Sequence, residues 1–446
     1  MKKSSKVLAL IICLTVLVGT LTVFAAPNFV YDEEYLGKIE ERWNDIQADN
    51  TVISLVPGEK TGEMNFSWLS SVFQKEVSFR YGEKSDLSDS KQTEVSQQKT
   101  ITGHNVNRVT LTGLEEGKTY YYSYTEKGEW SSAESFTVRD SENFKAVFVS
   151  DSQIGRSGDA TLDEILIRDT AGWTHTVENA LDTVKDCAFI MSAGDQVEHG
   201  YSFKQYKAFL SPERLRNVPI ATAIGNHDFY LPLYSYYFNN PNQVNEMFAS
   251  PAGHAYYYTY GHALFIVLNS NNTSLTDTNR IIKKAVEENP DAKWRVVLMH
   301  HSVYSANIAE SEFSWHRLMF SPIFDNYEID LVLSGHDHFY SRSLPLYSGE
   351  NSENGTVYLQ ASSASGSNLY GINAEKVNRN VVGYFLDENV PTYTSLVFDD
   401  DNINIETYRT DTNEIIDAVN IKNGSYENDS SIFKWLICFI NTIKNI

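Results

Sequence analysis

Beyond Phe144 the hydrophobic pattern repeats one unit: a short apolar run, a polar turn, then a longer segment with helical spacing. Ala146–Ser150, Ala188–Ser192, Ile220–Ile224, Arg295–Met299 and Leu331–Leu333 are runs of the kind found in strands buried on both faces. Asp163–Lys185 and Asp277–Glu288 carry apolar residues at helical intervals between them. Each run stops at groups able to bind a ligand: Asp151, Gly194-Asp195, Asn226-His227, His300 and Gly335-His336. Strands that deliver polar residues at their carboxyl ends predict an α/β domain over 144–421, with its ligand outside that edge.

Upstream the pattern changes. Glu33–Gln47 reads as a charged helix, and Val52–Val138 as short β-rich runs such as Met64–Leu69, Val77–Tyr81, Val109–Leu111 and Tyr120–Tyr124. Turn clusters such as Pro57-Gly58 and Glu116-Gly117 separate them. Roughly seven strands over residues 50–140 predict a β-sandwich. This segment has no cluster of ligand-type residues and reads as a structural or binding module.

The two ends have their own signatures. Lys2, Lys3 and Lys6 precede an apolar run from Val7 to Val18, with Ala25 and Ala26 closing it, so residues 1–26 read as a secretory signal peptide; an uncleaved anchor is the alternative, since Val7 to Ala26 is close to spanning length. At the other end, residues 422–431 read as an Asn/Ser-rich linker. Beyond it, Ile432, Trp435, Leu436, Phe439, Ile440 and Ile443 keep helical spacing. Residues 432–446 fall short of the ~20 needed to cross a bilayer. They leave two readings open: a helix in contact with a membrane surface, or one docked on the protein.

At 446 residues the chain has room for two or three domains, and 42% hydrophobic against 21% charged residues argues against wholesale disorder. Its formal charge is −22, and loss of residues 1–26 would remove three lysines and no acid, leaving the mature chain near −25. Such a surface repels phosphate backbones and excludes a sequence-independent binder of nucleic acid duplexes. A small phosphate ester can still bind where a metal supplies positive charge locally. The three cysteines, Cys13, Cys187 and Cys438, lie far apart and imply no disulfide framework.

The strand-end groups are Asp151, Asp195, Asn226, His227, His300, His336 and His338. One such residue is ordinarily a cap or a hydrogen-bonded surface group; five consecutive strand ends carrying them are not. Carboxylate, amide and imidazole together suit a borderline divalent metal such as Zn, Mn or Fe(II). Imidazoles with shared carboxylates suggest two ions about 3.5–4 Å apart, bridged by one Asp.

In order, the blocks are Asp151-Ser152-Gln153, Gly194-Asp195, Gly225-Asn226-His227-Asp228, Val297-Leu298-Met299-His300 and Gly335-His336-Asp337-His338. They resemble the calcineurin-like metallophosphoesterases. The continuation Phe339-Tyr340-Ser341-Arg342, together with Gly113-Leu114, Thr119–Tyr122 and Trp130-Ser131 upstream, is similar to the purple acid phosphatase branch with its fibronectin-type-III-like N-terminal domain. The likeness covers about residues 50–410. It implies a β-sandwich followed by a four-layer αββα metallophosphoesterase domain.

Residue by residue, the resemblance makes Asp195 the bridging carboxylate. Asn226, His300 and His336 would complete one metal site, and Asp151 and His338 would belong to the other. His227 would protonate the leaving oxygen or stabilise the transition-state charge, with Asp228 orienting its imidazole. Two departures stand out. Where the purple branch has a Tyr three residues beyond the bridging Asp, this chain has Glu198, which implies a colourless enzyme unless Tyr201 or Tyr206 substitutes. Where the first block has Gly or His, this chain has Gln153, whose amide oxygen is a weaker ligand. His199 and His301 read as groups beside the site or on the surface. Phe229, Tyr230, Tyr234, Tyr236, Tyr237, Tyr340 and Tyr370 read as aromatics that stack on a nucleoside or aryl group or pack between loops, and the loop 360–366 as a wall of the site or a plain turn.

The resulting expectation is an exported, secreted or cell-surface hydrolase of small phosphate monoesters. Two divalent ions (Fe, Mn or Zn) would supply the attacking metal-bound hydroxide. Phosphodiester or nucleotide hydrolysis on the same metals is the nearest alternative. A cell-surface binding protein with a vestigial metal site, marked by Gln153 and Glu198, is the alternative from another class.

Overall fold

The computed structural model describes residues 31–126, 128–158, 160–306 and 311–422. The signal peptide and the amphipathic C-terminal helix expected from the sequence lie outside the described residues. Among those described, no helix is long and apolar enough to cross a membrane.

The sandwich forms, with more strands than the sequence suggests. One sheet orders strands 53–57, 64–71, 104–111 and 96–99; the other gathers 91–93, 79–82, 119–126, 129–130 and 134–137. Phe66, Trp68, Phe79, Tyr122 and Phe136 fill the space between them. Strand Met64–Ser71 alternates as a half-buried strand should, with Met64, Phe66 and Trp68 inward. The polar residues on its other face are also buried: Asn65 donates to Asn239 O at 2.9 Å and Ser67 to Tyr236 O at 2.7 Å. Arg108 donates to Ser235 O at 2.6 Å from the neighbouring strand. The sandwich thus grips the segment that follows Asn226-His227.

The second part has four layers. A six-stranded sheet runs in the order 220–222, 187–192, 144–149, 392–398, 402–409, 415–422. A seven-stranded sheet runs 256–260, 263–267, 294–298, 331–334, 357–360, 341–343, 382–385. The motif-bearing strands pair in parallel, 144–149 with 187–192 with 220–222, and 294–298 with 331–334. The two sheets face each other through Ala146, Phe148, Phe189, Met191, Phe265, Val296, Leu298 and Leu333. Alternate residues of the same strands, Val147, Val149 and Ile190 on one side and Leu264, Ile266, Val297 and Val332 on the other, meet the outer helices. Burial on both faces is why these strands read as unbroken apolar runs.

The expected helices form over Leu162–Thr183 and Leu275–Glu288. A reciprocal capping box starts the first, Thr161 with Glu164. The N-terminal helix Glu33–Ala48 lies on it through Ile39, Trp43 and Ile46, so a segment that precedes the sandwich in sequence joins the helical layer beyond it.

Candidate metal centre

The carboxyl ends of both sheets converge on one buried cluster. Asn226 Oδ1 lies 2.9 Å from His300 Nε2 and 3.1 Å from His336 Nδ1, and the two imidazole nitrogens are 3.2 Å apart. Asp195 Oδ2 is 3.3 Å from His300 Nε2. On the other flank Asp151 Oδ1 is 3.5 Å from His338 Nε2. Asp151, Asp195 and His300 each offer a donor atom within 4.8 Å of the others, as do His300, His301 and His336.

The backbone is bent to make this possible. Asp151, Gln153, Asp195, His336 and His338 all sit at positive φ, between 37° and 76°, where non-glycine residues are costly by about 1–3 kcal/mol each. Sharp turns at the strand ends aim the side chains inward. Glycines clear the space: a Cβ on Gly225 would lie 2.0 Å from Asp195 Oδ1, and one on Gly335 2.2 Å from Asp151 Oδ2.

Partners around the cluster fix the imidazoles. His300 Nδ1 donates to Ala193 O at 3.0 Å and His338 Nδ1 to Asn368 O at 2.8 Å, which turns Nε2 of each ring toward the cluster. His336 N and His227 N donate to Asp151 Oδ2 and Asp195 Oδ1, each at 2.9 Å. The loop 360–366 proves to be a brace: Ser363 Oγ donates to Asp151 O at 2.8 Å, and Ser365 Oγ to Ser152 O.

The cluster stabilises positive charge. Burial works against ionised Asp195, yet His300 overrides it and holds the carboxyl well below its usual range. Burial likewise disfavours a charged His300, and Asp195 overcomes it, pushing the imidazole up to about 9. Burial and the neighbouring His300 charge keep His336 neutral, the form that ligates. Asp151 Oδ1 and Gln153 Oε1 are buried and take no hydrogen bond. Both are oxygens of the kind an oxygen-seeking divalent ion takes. The donor set therefore fits a metal.

One expectation needs correction. Asp228 does not orient His227. Its carboxylate is buried and accepts from Gly225 N at 3.0 Å, Gln196 N at 3.4 Å and Tyr206 OH at 3.2 Å, tying the Asn226-His227 turn to the Asp195 turn. Glu198 takes the role instead: His227 Nδ1 lies 2.9 Å from Glu198 O and 3.3 Å from Glu198 Oε2. His227 Nε2 then faces Asp195 Oδ2 at 4.0 Å. The sequence marked Glu198 only as a departure from a pattern, and its pairing with Arg156 Nη1 at 3.1 Å had no sequence signal.

Other candidates fall beside the cluster. The His301 ring stacks on His316 at 4.6 Å and lies 4.6 Å from the His336 ring, nearer the centre than its position in sequence indicated. His199 stacks on exposed Tyr201 at 5.1 Å. Tyr234 is core, whereas Tyr230 is exposed. Tyr340 and Arg342 clamp Asp417 of the last strand, at 2.8 Å and 2.6 Å, and so tie the two sheets rather than line the site.

Two family models match the chain: the calcineurin-like phosphoesterase model over residues 144–340 and the purple acid phosphatase N-terminal domain model over residues 51–138. A purple acid phosphatase from yellow lupin (Lupinus luteus) seeds is similar in structure, with TM-score 0.67 and 16% identity over 87% of this chain and 76% of that one. The structure of PhoD gives TM-score 0.57 and 11% identity over 94% of this chain and 99% of that one. At these identities the likeness shows a shared fold. No curated protein matches the sequence.

Proposed function

We propose that this chain, whose residues 144–340 match the calcineurin-like phosphoesterases and residues 51–138 the purple acid phosphatase N-terminal domain, is an exported, metal-dependent phosphoric ester hydrolase that acts on phosphate monoesters at a dinuclear centre. The observation that carries this reading is the convergence of Asn226, His300, His336 and Asp195 donor atoms within 3.3 Å of His300 Nε2. Asp151, His338 and Gln153 stand on the other side of Asp195. That grouping supports one ion on Asn226, His300 and His336, a second on Asp151, Gln153 and His338, and Asp195 shared between them.

When bound, the ions supply positive charge against the phosphate and lower the pKa of a water toward neutrality. The chain's own residues do the rest. His227 keeps Nδ1–H on Glu198, so Nε2 is the atom that passes a proton to the leaving oxygen as the P–O bond breaks. Asp228 and Tyr206 keep the turn beneath it rigid. A decayed site would be expected to have lost some of these donors, and all are present.

The test is hydrolysis of a nitrophenyl phosphate monoester and the matching diester by the mature chain, after chelation and after adding back Mn, Zn or Fe(II). Turnover restored by metal, faster on the monoester and lost in His227→Ala or His300→Ala, is the expected result. A faster diester moves the assignment to a phosphodiesterase. Tight metal binding with no turnover on either ester overturns the catalytic reading.

A further inference from the structure

A cavity of about 410 Å³ opens on the helix-covered side of the seven-stranded sheet. Helix Ser311–Asn326, the hairpin over 346–351 and the loop over 378–381 enclose it, and no metal-ligand candidate lines it. Its volume is in the range of small-molecule sites. Arg317, only 7% exposed, reaches it from the helix.

A guanidinium cannot shed its charge, so burying one calls for an anion beside it. Among the described residues Arg317 has no such partner. Its Nε donates to Val303 O at 3.4 Å, and its head lies over the Tyr304 ring, 4.5 Å from the centroid. Burial opposes its charge, and the groups that act in its favour are Tyr304 and Tyr358, with no carboxylate among them.

A second arginine stands at the mouth. Arg379 is exposed and lies over the Phe385 ring at 4.4 Å. Asn351 and Asn378 add amides to the lining. Its one acid, Glu350, is exposed and ion-pairs with neither arginine. In a chain of formal charge −22, a concavity with two arginines and no bound carboxylate is electrostatically out of character.

We infer that this cavity is a binding site, separate from the metal centre, for a small molecule bearing an oxyanion, a phosphate ester or a carboxylate. Arg317 holds the oxyanion from the floor and Arg379 approaches it from the rim. The planar fork of a guanidinium matches both groups. The volume exceeds the needs of a bare anion and leaves room for an organic portion against Tyr304 and Leu344.

The experiment is calorimetric titration of the metal-loaded full chain with inorganic phosphate and, separately, with succinate, beside Arg317→Met and Arg379→Gln. Met fills much of the buried volume of the arginine stem without its charge, and Arg379 is exposed, so the second variant leaves the core untouched. The wild type is expected to show a binding event that weakens about tenfold or more in each variant. Any phosphate binding at the metal centre persists in both. Glu350→Gln is expected to tighten the binding event in the cavity a few-fold. Stronger binding of phosphate points to an ester as the ligand and stronger binding of succinate to a carboxylate, and either supports the site. Identical isotherms for wild type and both arginine variants, with or without binding, overturn it.

Discussion

Replacing Gln153 by Met tests whether its amide oxygen is a ligand, because the fold and the metal respond with opposite signs. Without metal, Gln153 Oε1 is buried in a residue 2% exposed and takes no hydrogen bond, which costs about 1–3 kcal/mol. Met occupies similar volume without that oxygen, so metal-free Gln153→Met is expected to be more stable by up to that amount. For a catalytic domain of this size, roughly 2–4 °C in melting temperature accompanies each kcal/mol. With metal, the variant lacks a donor. A loss of about tenfold in affinity removes about 1.4 kcal/mol of metal-induced stabilisation at fixed metal concentration. Melting curves with and without Mn or Zn should therefore show a higher baseline and a smaller metal shift than wild type, and equilibrium dialysis should find one of the two ions more weakly held. A full metal shift with unchanged stoichiometry would refute the assignment of Gln153, and an unchanged metal-free melting temperature would refute the cost of the orphaned oxygen.

Three further outcomes are expected. Glu198→Gln keeps the Glu198 backbone acceptor of His227 and removes the carboxylate, so kcat should fall about tenfold with metal content unchanged, read by steady-state kinetics and metal analysis. Asp169 is buried, and burial pushes its carboxyl up to about 6 although Gly155, Arg156 and Ser157 amides donate to it. It holds its proton longer than in the unfolded chain, so its contribution is full below pH about 4 and is lost as pH rises through about 6. At about 1.4 kcal/mol per pH unit this is worth about 3 kcal/mol; urea unfolding of the metal-free protein at pH 4 and pH 7 should show that loss in wild type and not in Asp169→Asn. Because Tyr206 is held by Asp228 and Tyr201 is exposed on His199, protein loaded with Fe(III) should show no visible tyrosinate band in its absorption spectrum.

Much of the catalytic domain was legible in the sequence because its physics is local. Strands buried on both faces must be apolar throughout, and the chain must turn where they end, so the donor residues stood out at Asp151, Asp195, Asn226, His300 and His336. The antiparallel strands 402–409 and 415–422 carried no such mark, since their apolar residues alternate with polar ones that are more exposed, and strand 392–398 hides three buried hydroxyl residues, Thr392, Thr394 and Ser395, among its apolar ones. The helix Ser311–Asn326 also escaped, with Pro322 inside it interrupting the pattern.

What the sequence alone determined was the order of elements and the kind of chemistry: short apolar strands, acid- and imidazole-bearing turns, and a separate β-rich segment before them. The tertiary structure decided which groups meet. Ser67 and Asn65 look like the solvent side of a sandwich strand and are instead buried against residues 236 and 239. Asp228 follows His227 directly and Glu198 lies 29 residues before it, yet only Glu198 meets its ring, because Asp228 is drawn beneath the turn by Gly225, Gln196 and Tyr206. Periodicity reports how one segment divides its faces between core and surroundings. Whether those surroundings are water, another domain or a neighbouring charge depends on contacts between residues far apart in the chain, which no local pattern encodes.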